Sequence, residues 1–350
     1  MAEISIGNRV ITKGSQPFII AEAGINHNGE MEKAFEMICI AKKSGADAIK
    51  FQTFKADQFI SDPNLMFTYK SQGLEITESM LDMFRRYEFS EKEWYLIKKK
   101  CDEQGIMFLS TPQNTLDLEM LLKIGIPAIK VGSDDFNNLP LLKRYSQTGL
   151  PIILSIGMAD LGEVYQSLSL VGALDGYPIV LLLCTSQYPT PAADTNLRKL
   201  KTLSAAFPMT PMGFSDHTEG PLASSLAVAL GAVLIEKHFT LSHDLPGPDH
   251  WFAEDPDGLQ IWIKSIREAY EMLGNGIVRP TYEEEKMKIL ARRSIVALED
   301  IEVGGIFKTH NIGMKRPGNG ISPSMFDHIL GLTVQRKMKK GDQLKWGDFK

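Results

Sequence analysis

From residue 17 to about residue 275 the chain repeats one unit. A short run of β-branched or aromatic residues precedes a stretch with apolar positions at helical spacing, and a glycine ends that stretch. Strands are predicted at PFIIAEAGIN (17–26), DAIKFQTF (47–54), IMFLSTP (106–112), AIKVGS (128–133), PIILSIG (151–157), PIVLLLCTSQYP (178–189), MGFSDHT (212–218) and AVLIEKHFT (232–240), eight in all. EKAFEMICIAKKSG, EKEWYLIKKKCDEQG and DLEMLLKIG read as amphipathic helices between them, and IWIKSIREAYEMLGNG follows the last strand. Apolar strands separated by such helices form a parallel sheet whose outer face the helices cover. Eight units in about 260 residues fit a closed (β/α)8 barrel better than an open doubly wound sheet. No GxGxxG opens a helix, which weakens a dinucleotide-binding reading.

The spacing breaks once, at residues 55–89, where the connection far exceeds the ~2–6 residues of an ordinary strand-to-helix loop. An insertion at that barrel face either covers a substrate or is structural. After Gly276 the character changes: VRPTYEEEKMKILARR reads as a charged linker with one short helix. Beyond Ser294 come short strands and many glycines, and ALEDIEVGGIFKTHNI aligns loosely with VQRKMKKGDQLKWGDF, Gly304 matching Gly341. The expected organisation is a barrel over 1–280, a linker over 281–291 and a small β-rich domain over 292–350. A domain of that size is marginal alone, so it is expected to dock on the barrel or on a second subunit.

The composition, 43% hydrophobic and 23% charged over 350 residues, suits a well-packed globular protein. No apolar run reaches the ~18 residues of a membrane-spanning helix, and the first residues lack the basic start and apolar stretch of a signal peptide. A cytoplasmic protein without a membrane partner is expected. A net charge of −5 offers no general attraction for nucleic acid, so an anionic ligand must be held by a few local cations. Cys39, Cys101 and Cys184 are too few and too scattered for a disulfide framework or a zinc cage.

Active sites of barrels of this kind form at the carboxyl ends of the strands, and here every strand ends in polar groups. They are Glu22, Asn26 and His27; Lys50, Gln52 and Thr53; Ser110 and Thr111; Lys130, Ser133, Asp134 and Asp135; Ser155; Thr185 to Tyr188; Ser215, Asp216 and His217; and Glu236, Lys237 and His238. His217 and His238 sit on adjacent strands, where neutral imidazoles can hold a divalent metal; the alternative is a pair of ordinary hydrogen-bonded histidines. Lys50 and Lys130, with the hydroxyls around them, form a candidate phosphate and carboxylate site. A Schiff-base lysine is a rival reading that leaves the histidines unexplained. Glu22, between Ala21 and Ala23, points inward, either as an acid or base or as the salt-bridge partner of Lys50. Asp249 in the PGPD turn (246–249) is a candidate for sugar hydroxyls, and KRPGNG (315–320) reads as a turn.

Taken in order, IAEAGINHNG, GADAIKFQTF, FLSTP, AIKVGS, PIILSIGM, CTSQYPTP, GFSDHT, IEKHFT, LPGPDH and KRPGNGIS resemble the sialic acid (nonulosonic acid) synthase family along nearly the whole chain. The resemblance implies a (β/α)8 barrel followed by an antifreeze-like (SAF) domain. It implies condensation of phosphoenolpyruvate with an N-acylated hexose, N-acetylmannosamine in an N-acetylneuraminate synthase, and a divalent metal, most often manganese, with magnesium or cobalt as options. It also implies a domain-swapped homodimer in which each tail covers the partner's barrel mouth. By position, His217 and His238 match metal ligands and Glu22 the catalytic glutamate. Lys50, Thr111, Lys130, Ser133, Ser155, Ser186 and Ser215 match phosphoenolpyruvate contacts. Gln52, Asp135, Tyr188, Asp249 and Arg316 match sugar contacts, Arg316 reaching across from the other subunit.

Several positions depart from the commoner pattern. Asp134-Asp135 stands where many members have Gly-Glu, Ser186 replaces an Asn, Leu183 a His, Ile156 a Thr, and PQN follows Ser110-Thr111 where PF is common. They leave the metal pair and lysines intact and put the sugar in question: a legionaminic, pseudaminic or other modified nonulosonic acid, made from a 2,4-diacetamido-6-deoxyhexose, is the alternative product. A synthase acting on a sugar phosphate needs a further basic pocket that the sequence does not display. A non-catalytic carbohydrate- or ice-binding protein is the remaining reading, but the tail has only Thr309 and Thr333 for a flat threonine face.

Overall fold

Eight strands form one parallel sheet: β1 (Phe18–Gly24), β2 (Ala48–Thr53), β3 (Met107–Pro112), β4 (Ile129–Val131), β5 (Ile152–Ser155), β6 (Ile179–Cys184), β7 (Met212–Asp216) and β8 (Leu234–His238). Their order is β3-β2-β1-β8-β7-β6-β5-β4, and β3 packs beside β4 to close the barrel. This computed structural model describes residues 3–350, in two compact units that divide between Gly274 and Asn275. Among the described residues no helix is long and apolar enough to cross a membrane.

The helices form where the sequence places them. Glu91–Gln104 starts at a capping box, Ser90 with Glu93, and turns Trp94, Ile97 and Cys101 to the core. It stops at Gly105, whose φ of 64° is left-handed and favours a residue without a Cβ. The outward side chains of the strands, such as Ile19, Ile49, Phe51 and Ile152, pack against these helices in one continuous layer.

The barrel interior explains why the site lies at one end. Side chains alternate in and out along a strand. The inward positions are apolar at the amino end, where Phe18, Ile20, Ala48, Leu109, Ala128, Ile153, Val180, Leu182 and Leu234 form a second core. Two residues further along the same faces stand Glu22, Lys50, Thr111, Lys130, Ser155, Cys184 and Glu236. Each of these strands therefore switches from oil to polar at the same height. The hairpin Ile4–Ile6/Arg9–Ile11, not foreseen from sequence, plugs the apolar end with Ile4, Ile6 and Ile11. Its three-residue strands are too short to show a period.

The 55–89 insertion holds a helical turn (Ala56–Phe59), a hairpin (Met66–Ser71 with Leu74–Ser79) and a helix (Met80–Arg85). Gln72 and Gly73 make the two-residue turn with φ of 50° and 78°, the positive angles that match hairpin twist.

The second unit contains the exposed helix Tyr282–Ala291, followed by a small β-rich domain that includes the pair Ser294–Ala297 and Ile312–Lys315. The two sequence copies meet about an internal two-fold. Gly304 N–H donates to Val334 O and Gly341 N–H to Ala297 O, both at 2.8 Å. Ile301 and Met338, equivalent positions in the two copies, exchange backbone bonds of 2.8 and 2.9 Å. The repeat is thus a pairing device: each half supplies the strand partner of the other and together they enclose Ile295, Phe307, Val334, Met338 and Leu344.

Because Ile6 is fully buried in the plug, Ile6→Ala is expected to destabilise the barrel by about 2–5 kcal/mol in urea denaturation; a loss below about 1 kcal/mol would show that the hairpin is dispensable.

Candidate active site

A cavity of about 690 Å³ opens at the carboxyl ends of the strands. Its floor is a buried ionic cluster. Lys50 Nζ lies 2.8 Å from Glu22 Oε1 and 3.8 Å from Glu236 Oε2. Lys130 Nζ lies 3.6 Å from Glu236 Oε1 and donates to Ser155 Oγ at 2.9 Å and Val131 O at 3.0 Å. Lys50 also donates to Thr111 Oγ1 at 3.3 Å, and Ser215 Oγ donates to Glu236 Oε1 at 3.0 Å. Strand register sets this up: Glu22 pairs with Lys50 across β1 and β2, and Ser215 with Glu236 across β7 and β8.

The four charged groups are all buried, so desolvation competes with attraction at each. Burial pushes the Glu22 carboxyl up to about 7, with Lys50 only partly restoring the anion. Burial acts the same way on Glu236, but Lys130, Lys50 and the Ser215 hydroxyl outweigh it and hold this carboxyl below its usual range. Burial lowers Lys130 despite Glu236, whereas for Lys50 the attraction of Glu22 and Glu236 outweighs burial and raises it. Among the described residues Glu22 Oε2 and Glu236 Oε2 find no hydrogen-bond partner. Such a cluster is a poor way to stabilise a fold and a good way to hold charge ready for a ligand.

Above this floor the imidazoles of His217 and His238 face the same cavity, ring centroids 5.7 Å apart. His217 Nδ1 is 2.8 Å from Thr185 O, to which it donates its proton. Burial, with the nearby charges of His217, Lys50 and Lys130, keeps His238 well below the ordinary range and therefore neutral. For His217 burial pulls the same way, but Cys184 and the Thr185 carbonyl outweigh it and favour the proton. His238 Nδ1 is buried without a hydrogen-bond partner among the described residues, and Asp249 Oδ2 lies 3.9 Å away. The Asp249 carboxyl is pushed up to about 6 by burial. An orphaned buried imidazole nitrogen beside a second imidazole is a donor set that fits a divalent cation. Among the described residues no third His, Cys, Asp or Glu completes a metal-sized group.

Tyr188 packs at a tilt against His217, 4.1 Å between centroids. Ser133 Oγ accepts from the Gly157 N–H at 2.9 Å, and a Cβ on Gly157 would run into the hydroxyls of Ser133 and Ser186. These two serines therefore close over bare backbone. Gln52, Thr111, Ser155 and Ser215 line the same cavity. The two carboxylates after Ser133 separate: Asp134 faces the cavity, while Asp135 faces a neighbouring cleft and accepts from Asn138 Nδ2 at 3.0 Å. Arg316 belongs to the second unit, is exposed, and donates to Ala291 O at 2.9 Å.

Other strand-end residues serve the scaffold. Lys237 points outward to Asp216 Oδ2 (3.2 Å) and Glu254 Oε1 (3.6 Å). His27 stacks on Phe89 at 4.4 Å and accepts from the Gly29 N–H at 3.0 Å. Glu236 is a site residue to which the sequence alone assigns no role. Its one signal is parity: it stands two positions before His238, on the same face of β8. The insertion lines one side of the cavity through Phe59, Phe67, Tyr69, Met83 and Phe84, and so contributes directly to the site.

The sequence matches the NeuB family over residues 37–278 and an SAF domain over 292–350. It is 39% identical over 334 residues to the N,N'-diacetyllegionaminic acid synthase of Legionella pneumophila, covering 94% of this chain and 93% of that one. It is also 39% identical over 332 residues to the N,N'-diacetyllegionaminic acid synthase of Campylobacter jejuni, covering 93% and 98%. The solved N-acetylneuraminic acid (sialic acid) synthetase of Leptospira borgpetersenii, in complex with citrate, superposes with a TM-score of 0.73 at 33% identity, over 81% of this chain and 94% of that one. The chain belongs to the NeuB family of nonulosonic acid synthases.

Burial holds His27 at about 3, far below the 6.5 of a free imidazole. The native state thus refuses a proton that the unfolded chain accepts, and stability falls as pH drops from about 6.5 towards 3. Denaturation midpoints over that window are expected to fall less steeply for His27→Gln than for the unsubstituted protein; parallel slopes would contradict a neutral buried His27.

Proposed function

We propose, from membership of that family, that this chain condenses phosphoenolpyruvate with an unphosphorylated N-acylated hexose to a nine-carbon 2-keto acid and phosphate. The observation that carries the reading is the meeting, in one cavity, of two buried lysines with a ring of hydroxyls and two imidazoles. Of the sugars weighed, a 2,4-diacetamido-6-deoxyhexose is favoured over N-acetylmannosamine, because the relatives that are 39% identical are named for a diacetylated product.

In this reading Lys50 and Lys130 bind the anionic groups of phosphoenolpyruvate, and Thr111, Ser133, Ser155, Ser186 and Ser215 supply directional bonds. Occupation of the cluster exchanges lysine–glutamate pairing for lysine–phosphate pairing, which frees carboxylate oxygens of Glu22 and Glu236 to accept from the sugar or from water. Gln52, Tyr188 and Asp249 orient the open-chain sugar with its aldehyde carbon against the phosphoenolpyruvate methylene. Orientation of this kind supplies up to ~7–11 kcal/mol of a bimolecular barrier. His217 and His238 would hold a divalent cation, manganese by preference, which when bound polarises the aldehyde oxygen. The carbon–carbon bond forms from the methylene to the aldehyde carbon, whose oxygen takes up a proton. Water adds to the former enol carbon and gives up a proton, with Glu22 the group placed to carry protons. The bond from that carbon to the phosphate oxygen then breaks, leaving the keto group and free phosphate.

Assembly follows the same reading. The linker and its helix expose Ile277, Val278, Tyr282, Met287, Ile289 and Leu290. An apolar surface of this kind suits a second copy of the chain, in a swapped dimer where Arg316 of one copy serves the sugar in the other.

Mass spectrometry of incubations with phosphoenolpyruvate, manganese and a panel of N-acylated hexoses is expected to show one nine-carbon keto acid and stoichiometric phosphate. Phosphate release without sugar consumption would contradict the reading. His217→Ala and His238→Ala are each expected to abolish product while leaving the melting temperature within a few degrees; near-normal turnover of the metal-stripped double variant would reject their role.

A further inference from the structure

We infer that the 55–89 insertion sets sugar specificity by presenting an aromatic wall to the end of the acceptor remote from its aldehyde, and that the group it takes there is a methyl rather than a hydroxymethyl. The inference rests on the cavity being a site of phosphoenolpyruvate–sugar condensation.

The wall is built from rings that hold one another. Phe59, Phe84 and Phe54 pack edge to face with centroids 5.0–5.5 Å apart. Phe67 and Tyr69, two apart on one hairpin strand and so on one face, stack at 5.7 Å. All five are half-buried or buried, and all but Phe54 come from the insertion. All five line the same cavity as the lysine–glutamate floor.

Several polar groups of the insertion are turned to partners of their own. Tyr69 Oη donates to Glu78 Oε1 at 2.6 Å, and Arg86 grips both oxygens of that carboxylate at 2.7 and 2.5 Å. The Thr68 hydroxyl pairs with that of Thr77 at 2.8 Å. Lys70 lies 4.7 Å over the Trp251 ring, and Lys55 pairs with Glu88 at 2.8 Å. The ring faces themselves offer no hydrogen-bond partner, so a hydroxyl placed against them gives up water without a replacement. A methyl group loses nothing and removes ring surface from water.

The wall is also held in place. The hairpin tip is tied to the loop that carries Asp249: Gln72 Nε2 donates to Asp244 O at 2.7 Å, and the Gly247 N–H donates to the buried Ser71 Oγ at 3.1 Å. A fixed wall discriminates by fit, whereas a loose one would adapt.

The test compares kcat/KM for a matched pair of N-acylated hexoses, 6-deoxy and 6-hydroxy, with phosphoenolpyruvate saturating. The unsubstituted protein is expected to prefer the 6-deoxy sugar by about tenfold or more, the scale of one small group in an apolar pocket. Phe67→Gln, on the hairpin and outside the barrel core, is expected to bring the ratio close to one without changing KM for phosphoenolpyruvate; Phe59→Gln serves as the second variant. Equal use of both sugars by the unsubstituted protein, or a ratio retained in both variants, would overturn the inference while leaving the condensation reading intact. Consumption of phosphoenolpyruvate with neither sugar would remove both.

Discussion

Two ammonium groups and two carboxylates share the carboxyl end of a barrel, and the rest of the structure follows from keeping them there. A lone buried charge is too costly to persist. Lys50, Lys130, Glu22 and Glu236 are tolerated only together, each within 4 Å of an opposite charge. The attraction is incomplete, since one oxygen of each glutamate lacks a hydrogen-bond partner among the described residues. The cluster therefore stores an electrostatic demand that a small anion with a hydroxyl-bearing co-substrate can meet. Replacing it with apolar side chains would extend the plugged core upward and leave a stable barrel with no site.

The geometry that permits this is the alternation of the strands. Inward positions carry Ile, Leu and Phe up to one level and polar groups beyond it, so a dry core and a charged floor lie two residues apart on the same faces. The dry core below keeps water from reaching the cluster from beneath, and the insertion narrows access from one side above. Low local polarity strengthens every contact the lysines make; burial raises both glutamates alike, and the unequal share of lysine and hydroxyl contacts sets them apart, Glu22 towards the proton and Glu236 away from it. Two carboxylates with unlike proton affinity in one cavity suit a reaction that both moves protons and needs a fixed negative charge.

Much of this is legible in the sequence, for physical reasons. Strands apolar on both faces, flanked by helices and ended by glycine, announce a covered parallel sheet, and a polar residue at the end of each strand announces a site. The correspondence of Gly304 and Gly341 is visible as a loose repeat, but not the fact that the copies pair with each other, since pairing across an internal two-fold leaves no period in the chain. The plug of Ile4, Ile6 and Ile11 escapes notice because three-residue strands carry no pattern. Glu236 is visible as a strand-end residue, yet nothing in the sequence assigns it a role. Histidines and lysines draw the eye by chemistry, whereas a carboxylate gains importance only from the ammonium groups that surround it. Of the adjacent Asp134 and Asp135, only a structure tells which one faces the cavity. The insertion is recognisable by its length, whereas the rings it turns towards the cavity are visible only in the structure.

The central claim is that the lysine–glutamate floor is the seat of phosphoenolpyruvate. Calorimetric titration of phosphoenolpyruvate into the protein tests it most directly. One molecule per chain is expected to bind, and Lys50→Met and Lys130→Met are each expected to weaken binding by about 10–100-fold, the worth of one charge-assisted hydrogen bond. Binding of unchanged strength in both folded variants would contradict the account.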